Sequence, residues 1–269
     1  MIVQSAADGD AHFVIAMRQH TAFAGSLARN FGNDTFVGLS PREPMQFIVE
    51  HHDQGWVELD VEAPQDPATG LPYNLTATPL LQIISTSAGS PAFNAGHHPF
   101  SGLISSMHTF GLYNGRYGLS DKVFLDMIPD ELRPNVDEML ASELDRQAAL
   151  TTALEATDPG YASDEYVLHA YKQLQFFDTL SLHLHLNPVG GRGDTEFPNV
   201  PRSVGDDVVV SLVEHDDGVY SLDPYPFALD GLDVFTEGRY LFPQQVGTDL
   251  GALLADTEIS AQHVRLVAA

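Results

Sequence analysis

The sequence predicts a mainly α fold with a C-terminal antiparallel β appendage, α+β overall. Three observations carry that expectation. Apolar residues recur at helical spacing through most of residues 1–187, with cap residues at the starts and Gly or Pro at the stops. After Gly205 the period changes to two, with Gly-containing turns between short β-branched runs. The 269 residues suffice for one large domain or one domain with an appendage. The expected units are residues 1–190, a helical domain, and residues 205–269, a β-rich subdomain packed on it.

The elements follow in order. Residues 1–15 read as a short hairpin, with Asp8-Gly9-Asp10 as its turn. Residues 17–31 read as a helix stopped by Gly32-Asn33. Ser40-Pro41-Arg42-Glu43 is a capping box with Pro at the first helical position, opening a helix that runs to about Gln54 and stops at Gly55. Residues 60–79 carry Pro64, Pro67, Gly70, Pro72 and Pro79, so they read as loop. Helical patterns follow at 79–88, 99–113 and 134–157. A long helix over 163–187 has Ser163 as N-cap and ends at Asn187-Pro188. A Gly- and Pro-rich loop then runs to Gly205. Val208–Val213 and Val219–Leu222 flank Asp216-Asp217-Gly218, a strand, turn, strand signal. Two more strand-like runs lie between Phe227 and Phe242.

Composition excludes several function classes. Cys is absent, which removes disulfide scaffolds, thiolate zinc sites and a Cys nucleophile. No apolar run approaches the roughly 20 residues of a membrane span. The first residues lack a basic stretch followed by an apolar one, so no signal peptide is expected and the expected location is the cytoplasm. Acidic residues number 37 against 12 basic ones, a formal net charge of −25. Such a surface repels the nucleic-acid backbone and anionic lipid, which argues against a DNA groove binder. It suits a protein kept soluble in concentrated salt, the halophilic style of a salt-accumulating microbe. The sequence leaves homo-oligomerisation open.

Chemistry is expected where polar side chains interrupt apolar helix faces. In the helix from Pro41, Met45, Ile48 and Val49 share one face, and His52 falls within that stripe while His51 lies off it. Asp53 sits at the edge of the stripe near the helix C-terminus, where the helix dipole disfavours a carboxylate unless a cation is close. In the long helix, Asp178 shares a stripe with Val167, Tyr171, Leu174 and Leu182. That helix is apolar nearly all round, so an ionised Asp178 is costly unless paired or metal-bound. His20 lies beside the Phe23 and Leu27 stripe of the first helix, and His108 shares a face with Phe100, Ile104 and Gly111. Taken singly, each has a plain structural reading as a hydrogen-bonded core histidine, a cap partner or half of an ion pair. Together, a His, an adjacent His-Asp pair and a distant Asp on separate helices form a set of nitrogen and oxygen ligands for a divalent cation.

His20, His52-Asp53 and Asp178, in that order, resemble the H…HD…D pattern of the HD superfamily of metal-dependent phosphohydrolases. A second resemblance covers much of residues 1–187. His20–Gly25, Pro41-Arg42-Glu43, Glu50–Trp56, Ser106-Met107-His108, Gly111-Leu112-Tyr113 and Leu174–Leu182 resemble an uncharacterised prokaryotic family, a domain of unknown function with an E-H-D-x-G-W signature and HD-like character. The chain has Gln19 where that resemblance leads one to expect an acid before the first His.

The resemblance implies an HD-like helical bundle with a divalent metal (Mn, Fe, Co, Ni, Zn or Mg) held by His20, His52, Asp53 and Asp178. It implies hydrolysis of a small phosphoester, with a nucleotide as one option. Asp53 would sit beside the attacking water, and Arg18 would be a catalytic cation. His108, His51 and Arg116 are candidates for a second metal or for substrate, with His97 and His98 behind them and Lys122 as a further cation. His185 lies two turns beyond Asp178 on its stripe. Two rivals remain: a di-iron oxygenase of the HD type, using a second metal at His108, and a non-catalytic protein in which metal only ties helices together.

Overall fold

Two short strands open the chain: β1 (Ile2–Val3) and β2 (His12–Ile15) pair antiparallel as a hairpin. The computed structural model describes residues 1–269. Helix α1 (Met17–Asn30) follows directly and buries Met17, His20, Phe23, Ala24 and Leu27 along one face. Helix α2 (Arg42–His51) starts after Pro41 and buries Met45, Ile48 and Val49. It ends three residues earlier than expected, because the chain turns at His52 into a 3-10 turn over Gln54–Trp56 and then α3 (Val57–Glu62).

Helix α4 (Leu80–His97) runs well past the expected stop at residue 88, straight through Pro91. Pro91 has no N–H to offer the carbonyl of Ser87 one turn back. The Thr109 hydroxyl of α5 (Pro99–Tyr113) donates to that carbonyl at 3.2 Å instead. A single turn, α6 (Gly115–Gly118), leads through a loop to α7 (Arg133–Thr157) and then α8 (Asp164–Leu186), whose Ser163 caps the Tyr166 N–H.

The remaining strands are β3 (Thr195–Ser203), β4 (Asp206–Glu214), β5 (Val219–Asp223), β6 (Leu232–Leu241) and β7 (Ser260–Ala268), with α9 (Leu250–Asp256) before the last. All seven strands form one sheet in the order β1-β2-β6-β7-β5-β4-β3. Every pairing is antiparallel except β5 with β7, which is parallel.

This corrects the expected fold class. The protein is not a mainly α, HD-domain-like bundle with a small antiparallel β appendage. It is an α+β fold, 51% helix and 19% strand, whose mixed sheet curls into a half-barrel and forms a full layer. Three features conceal the sheet. The N-terminal hairpin joins it through β2 and β6, from the opposite end of the chain. Strand β3 contains Pro198 and Pro201 and lies at the sheet edge, where a missing N–H is tolerated. Strand β7 lies beyond the last turn signal read from the sequence.

The main core is one cluster of 35 buried residues drawn from α1, α2, α5, α8 and the inner faces of β3 to β7. Helix α1 packs on β6 and α8 packs on β3, so the sheet backs the two helices that carry His20 and Asp178. No helix is long and apolar enough to cross a membrane.

Candidate metal centre

The candidate ligands come from separate helices meeting over the sheet. His20 projects from the buried face of α1, His52 follows the last residue of α2, and Asp178 lies in the middle of α8; all three are buried. His20 Nε2 lies 3.3 Å from Asp178 Oδ1. His52 Nε2 lies 3.6 Å from that same oxygen and 3.6 Å from Asp53 Oδ2. Ligand atoms of His20, His52 and Asp178 all fall within 4.8 Å of one another, as do those of His52, Asp53 and His108. Two ligand groups therefore share His52.

The turn that sets Asp53 beside His52 depends on Gly55. A Cβ there would lie 2.0 Å from the Thr86 carbonyl oxygen of α4. Glycine lets the two backbones touch, and its N–H donates to Ser90 Oγ at 2.9 Å. This contact fixes the Asp53–Trp56 turn against α4.

Hydrogen bonding orients each ring. His52 Nδ1 donates to the Val49 carbonyl at 2.9 Å, aiming Nε2 at the carboxylates. Nε2 is buried and has no hydrogen-bond partner. Burial, the largest single influence on His52, opposes its charge, yet Asp53 and Asp178 together raise it to about 9. Burial likewise works to raise Asp178, but the His20 and His52 rings beside it hold its carboxyl well below the usual carboxylate range. On the far side of His20, Nδ1 meets His185 Nδ1 at 3.3 Å, and His185 Nε2 reaches Thr236 Oγ1 of β6 at 2.5 Å. Burial, with His20 and Arg192 nearby, keeps His185 well below the ordinary histidine value, hence neutral. It can thus accept a hydrogen bond from His20 Nδ1–H, which leaves His20 Nε2 free as a candidate ligand atom.

The set suits a cation. Donor separations of 3.3 and 3.6 Å exceed ordinary hydrogen bonds. The separation of 3.3 Å falls within, and the two of 3.6 Å just beyond, the roughly 3–3.5 Å expected between ligands about 2.1 Å from a common ion. An ion there would also satisfy the orphaned His52 Nε2.

His108 faces the same space from α5. Its Nδ1 lies 2.8 Å from Gln175 Nε2. Burial lowers His108 to about 4, so the ring is neutral at neutral pH. With the Gln175 amide donating to Nδ1, the ring proton sits on Nε2, a donor at the pocket lining.

The other predicted site residues are placed elsewhere or at the periphery. Arg18 is exposed and lines a second cavity together with Glu50, His51 and Asp53. His51 stacks on Phe47 and bonds its carbonyl, away from the cluster. His97 pairs with Glu43 at the surface, and His98 caps α5. Arg116 and Lys122 line the pocket above His52, Asp53, His108 and Asp178. Sequence reasoning missed Gln175, though it stands one turn before Asp178 on α8 and its spacing would have exposed it. It also missed Thr236, for which no local signal exists.

Fold and cluster together define an α+β protein with a buried histidine–carboxylate centre at the floor of a pocket. The chain belongs to the family described as a protein of unknown function (DUF3891), which it matches over residues 1–242. That span holds every residue of the cluster and strands β1 to β6. No curated protein and no solved structure matches the chain.

Proposed function

We propose that the protein is a divalent-metal-dependent hydrolase of a small phosphoester, working at an HD-type centre. The observation that carries this reading is the convergence of His20, His52, Asp53 and Asp178 around a buried, unpartnered His52 Nε2. Their order along the chain supports the HD comparison. His20, His52 and Asp178 would hold the ion, with Asp53 beside it on the more open side, as ligand or base. A metal in such a site lowers the pKa of bound water and polarises a phosphoryl oxygen. Asp53, half-buried at the pocket floor, is placed to take a proton from an attacking water. The His108 N–H and the Arg116 guanidinium would meet the phosphoryl oxygens.

The second ligand group, His52, Asp53 and His108, supports a two-metal alternative, the di-iron oxygenase. It requires the Gln175 amide turned over, so that its oxygen accepts from His108 Nδ1 and Nε2 is freed to bind.

The test uses purified protein stripped with chelator and reloaded separately with Mn, Fe, Co, Ni, Zn and Mg. Hydrolysis of an aryl phosphate in the loaded protein, lost in Asp178→Asn with the fold intact, supports the reading. Loss of fold in Asp53→Ala, with no hydrolysis by the wild type across a phosphoester panel, favours a purely structural metal. Oxygen consumption with two irons bound favours the oxygenase.

A further inference from the structure

The cavity over the cluster has a volume of about 440 Å3, within the roughly 300–1,000 Å3 of small-ligand sites. Its wall away from the ligands is apolar, built from Trp56, Ile83, Leu112, Tyr113, Phe124 and Leu182. The inner hydroxyls on that wall are already engaged. Ser90 Oγ accepts from Gly55 N, Thr109 Oγ1 donates to the Ser87 carbonyl, and Tyr113 OH meets Ser87 Oγ at 3.4 Å. The exposed Thr76 at the rim is the one lining hydroxyl without such a bond, so the wall offers few free partners to the hydroxyls of a sugar or the edge of a base.

The charge is equally selective. Of the 12 Lys and Arg residues, only Arg116 and Lys122 have neither a side-chain hydrogen bond nor an ion pair. Both line this cavity. In a chain of net charge −25, two cations without acidic partners at one pocket form a ready anion site. Arg116 is also held there against its backbone preference. Residues Gly115 to Gly118 all have positive φ, with Arg116 at 53° and Tyr117 at 57°. A left-handed turn of this kind costs roughly 1–2 kcal/mol for each non-glycine residue. It is retained where the surroundings demand one side-chain placement.

We propose that the pocket takes an organic phosphate with an apolar body, an alkyl or aryl phosphate rather than a nucleotide. The phosphate lies between the ligand cluster and the Arg116–Lys122 pair, and the body lies along the Trp56–Phe124 wall. This assignment rests on the hydrolase reading for the phosphate end and is tested apart from it by binding.

Trp56 is the only tryptophan, so its fluorescence reports occupancy of this wall. Mn-loaded protein is titrated with n-alkylphosphonates from methyl to octyl, with AMP and with glycerol 3-phosphate, and affinities are checked by calorimetry. The expected gain is about fourfold per methylene until the wall is covered. Arg116→Gln should weaken every phosphonate by roughly tenfold or more while keeping the chain-length slope. Arg265→Gln, a surface control paired with Asp233, should change nothing. Where Arg116→Gln does not fold, Lys122→Gln and the chain-length series carry the test. Affinity flat with chain length, or AMP bound more tightly than butylphosphonate, overturns the assignment. Unchanged binding in a folded Arg116→Gln/Lys122→Gln variant overturns it too. Chain-length-dependent binding without turnover of octyl or naphthyl phosphate upholds the pocket and removes the hydrolase reading. Preferred turnover of AMP or glycerol 3-phosphate does the reverse.

Discussion

Metal uptake by this protein should strengthen steeply with pH. In the metal-free state Asp53 and Asp178 outweigh burial and raise His52 to about 9, so it carries a proton at neutral pH. A cation that takes Nε2 as a ligand must displace that proton. At pH 7 the displacement spans about two pH units, which lowers the apparent affinity roughly a hundredfold, or about 2.7 kcal/mol. The affinity should therefore rise about tenfold per pH unit between 7 and 9 and then level off. Calorimetric titration with Mn2+ in pairs of buffers of different ionisation enthalpy reads both quantities. About one proton should leave per ion near pH 7, and fewer as pH approaches 9. An affinity constant across that range, or a heat independent of buffer, would refute the assignment of His52 Nε2 as a ligand.

Other consequences concern stability and positioning. In the metal-free protein the folded value of His52 exceeds its unfolded 6.5, so its stabilisation is whole below about pH 6.5 and is lost as pH rises through about 9; thermal melts should show this alkaline limb, and Mn loading should flatten it. Chelation of loaded protein should lower the melting temperature, with about 2.7 kcal/mol at stake where free metal stands a hundredfold above Kd. Gly55→Ala forces a Cβ to within 2.0 Å of the Thr86 carbonyl, so denaturant unfolding should show a loss of roughly 1–3 kcal/mol and weaker metal binding. His185→Leu removes the acceptor for His20 Nδ1 and should weaken metal binding roughly 10- to 100-fold with His20 itself intact.

The candidate cluster was legible because each member breaks a local rule. His52 continues the face of Met45, Ile48 and Val49, and Asp178 interrupts a helix that is apolar on all sides. Burial without a nearby partner in sequence is itself a signal that a partner comes from elsewhere in space. The sheet was legible only in part. Val208–Val213 and Val219–Leu222 announce themselves by period, but Pro198 and Pro201 disguise β3, which survives as an edge. The docking of β2 on β6 joins His12 to Leu241, and no local pattern encodes so distant a pairing. The expected stop at residue 88 falls short of the true end of α4, because the Thr109 hydroxyl that compensates for Pro91 belongs to the next helix. The pocket was hidden for a like reason, since its wall draws on Trp56, Leu112 and Phe124 from three stretches of chain.

The most direct test of the account is anomalous diffraction from crystals of the Mn-loaded protein. The account requires a peak about 2.1 Å from His20 Nε2, His52 Nε2 and Asp178 Oδ1 at once. Mn bound at other residues, or a loaded crystal with no peak among these three, would contradict it.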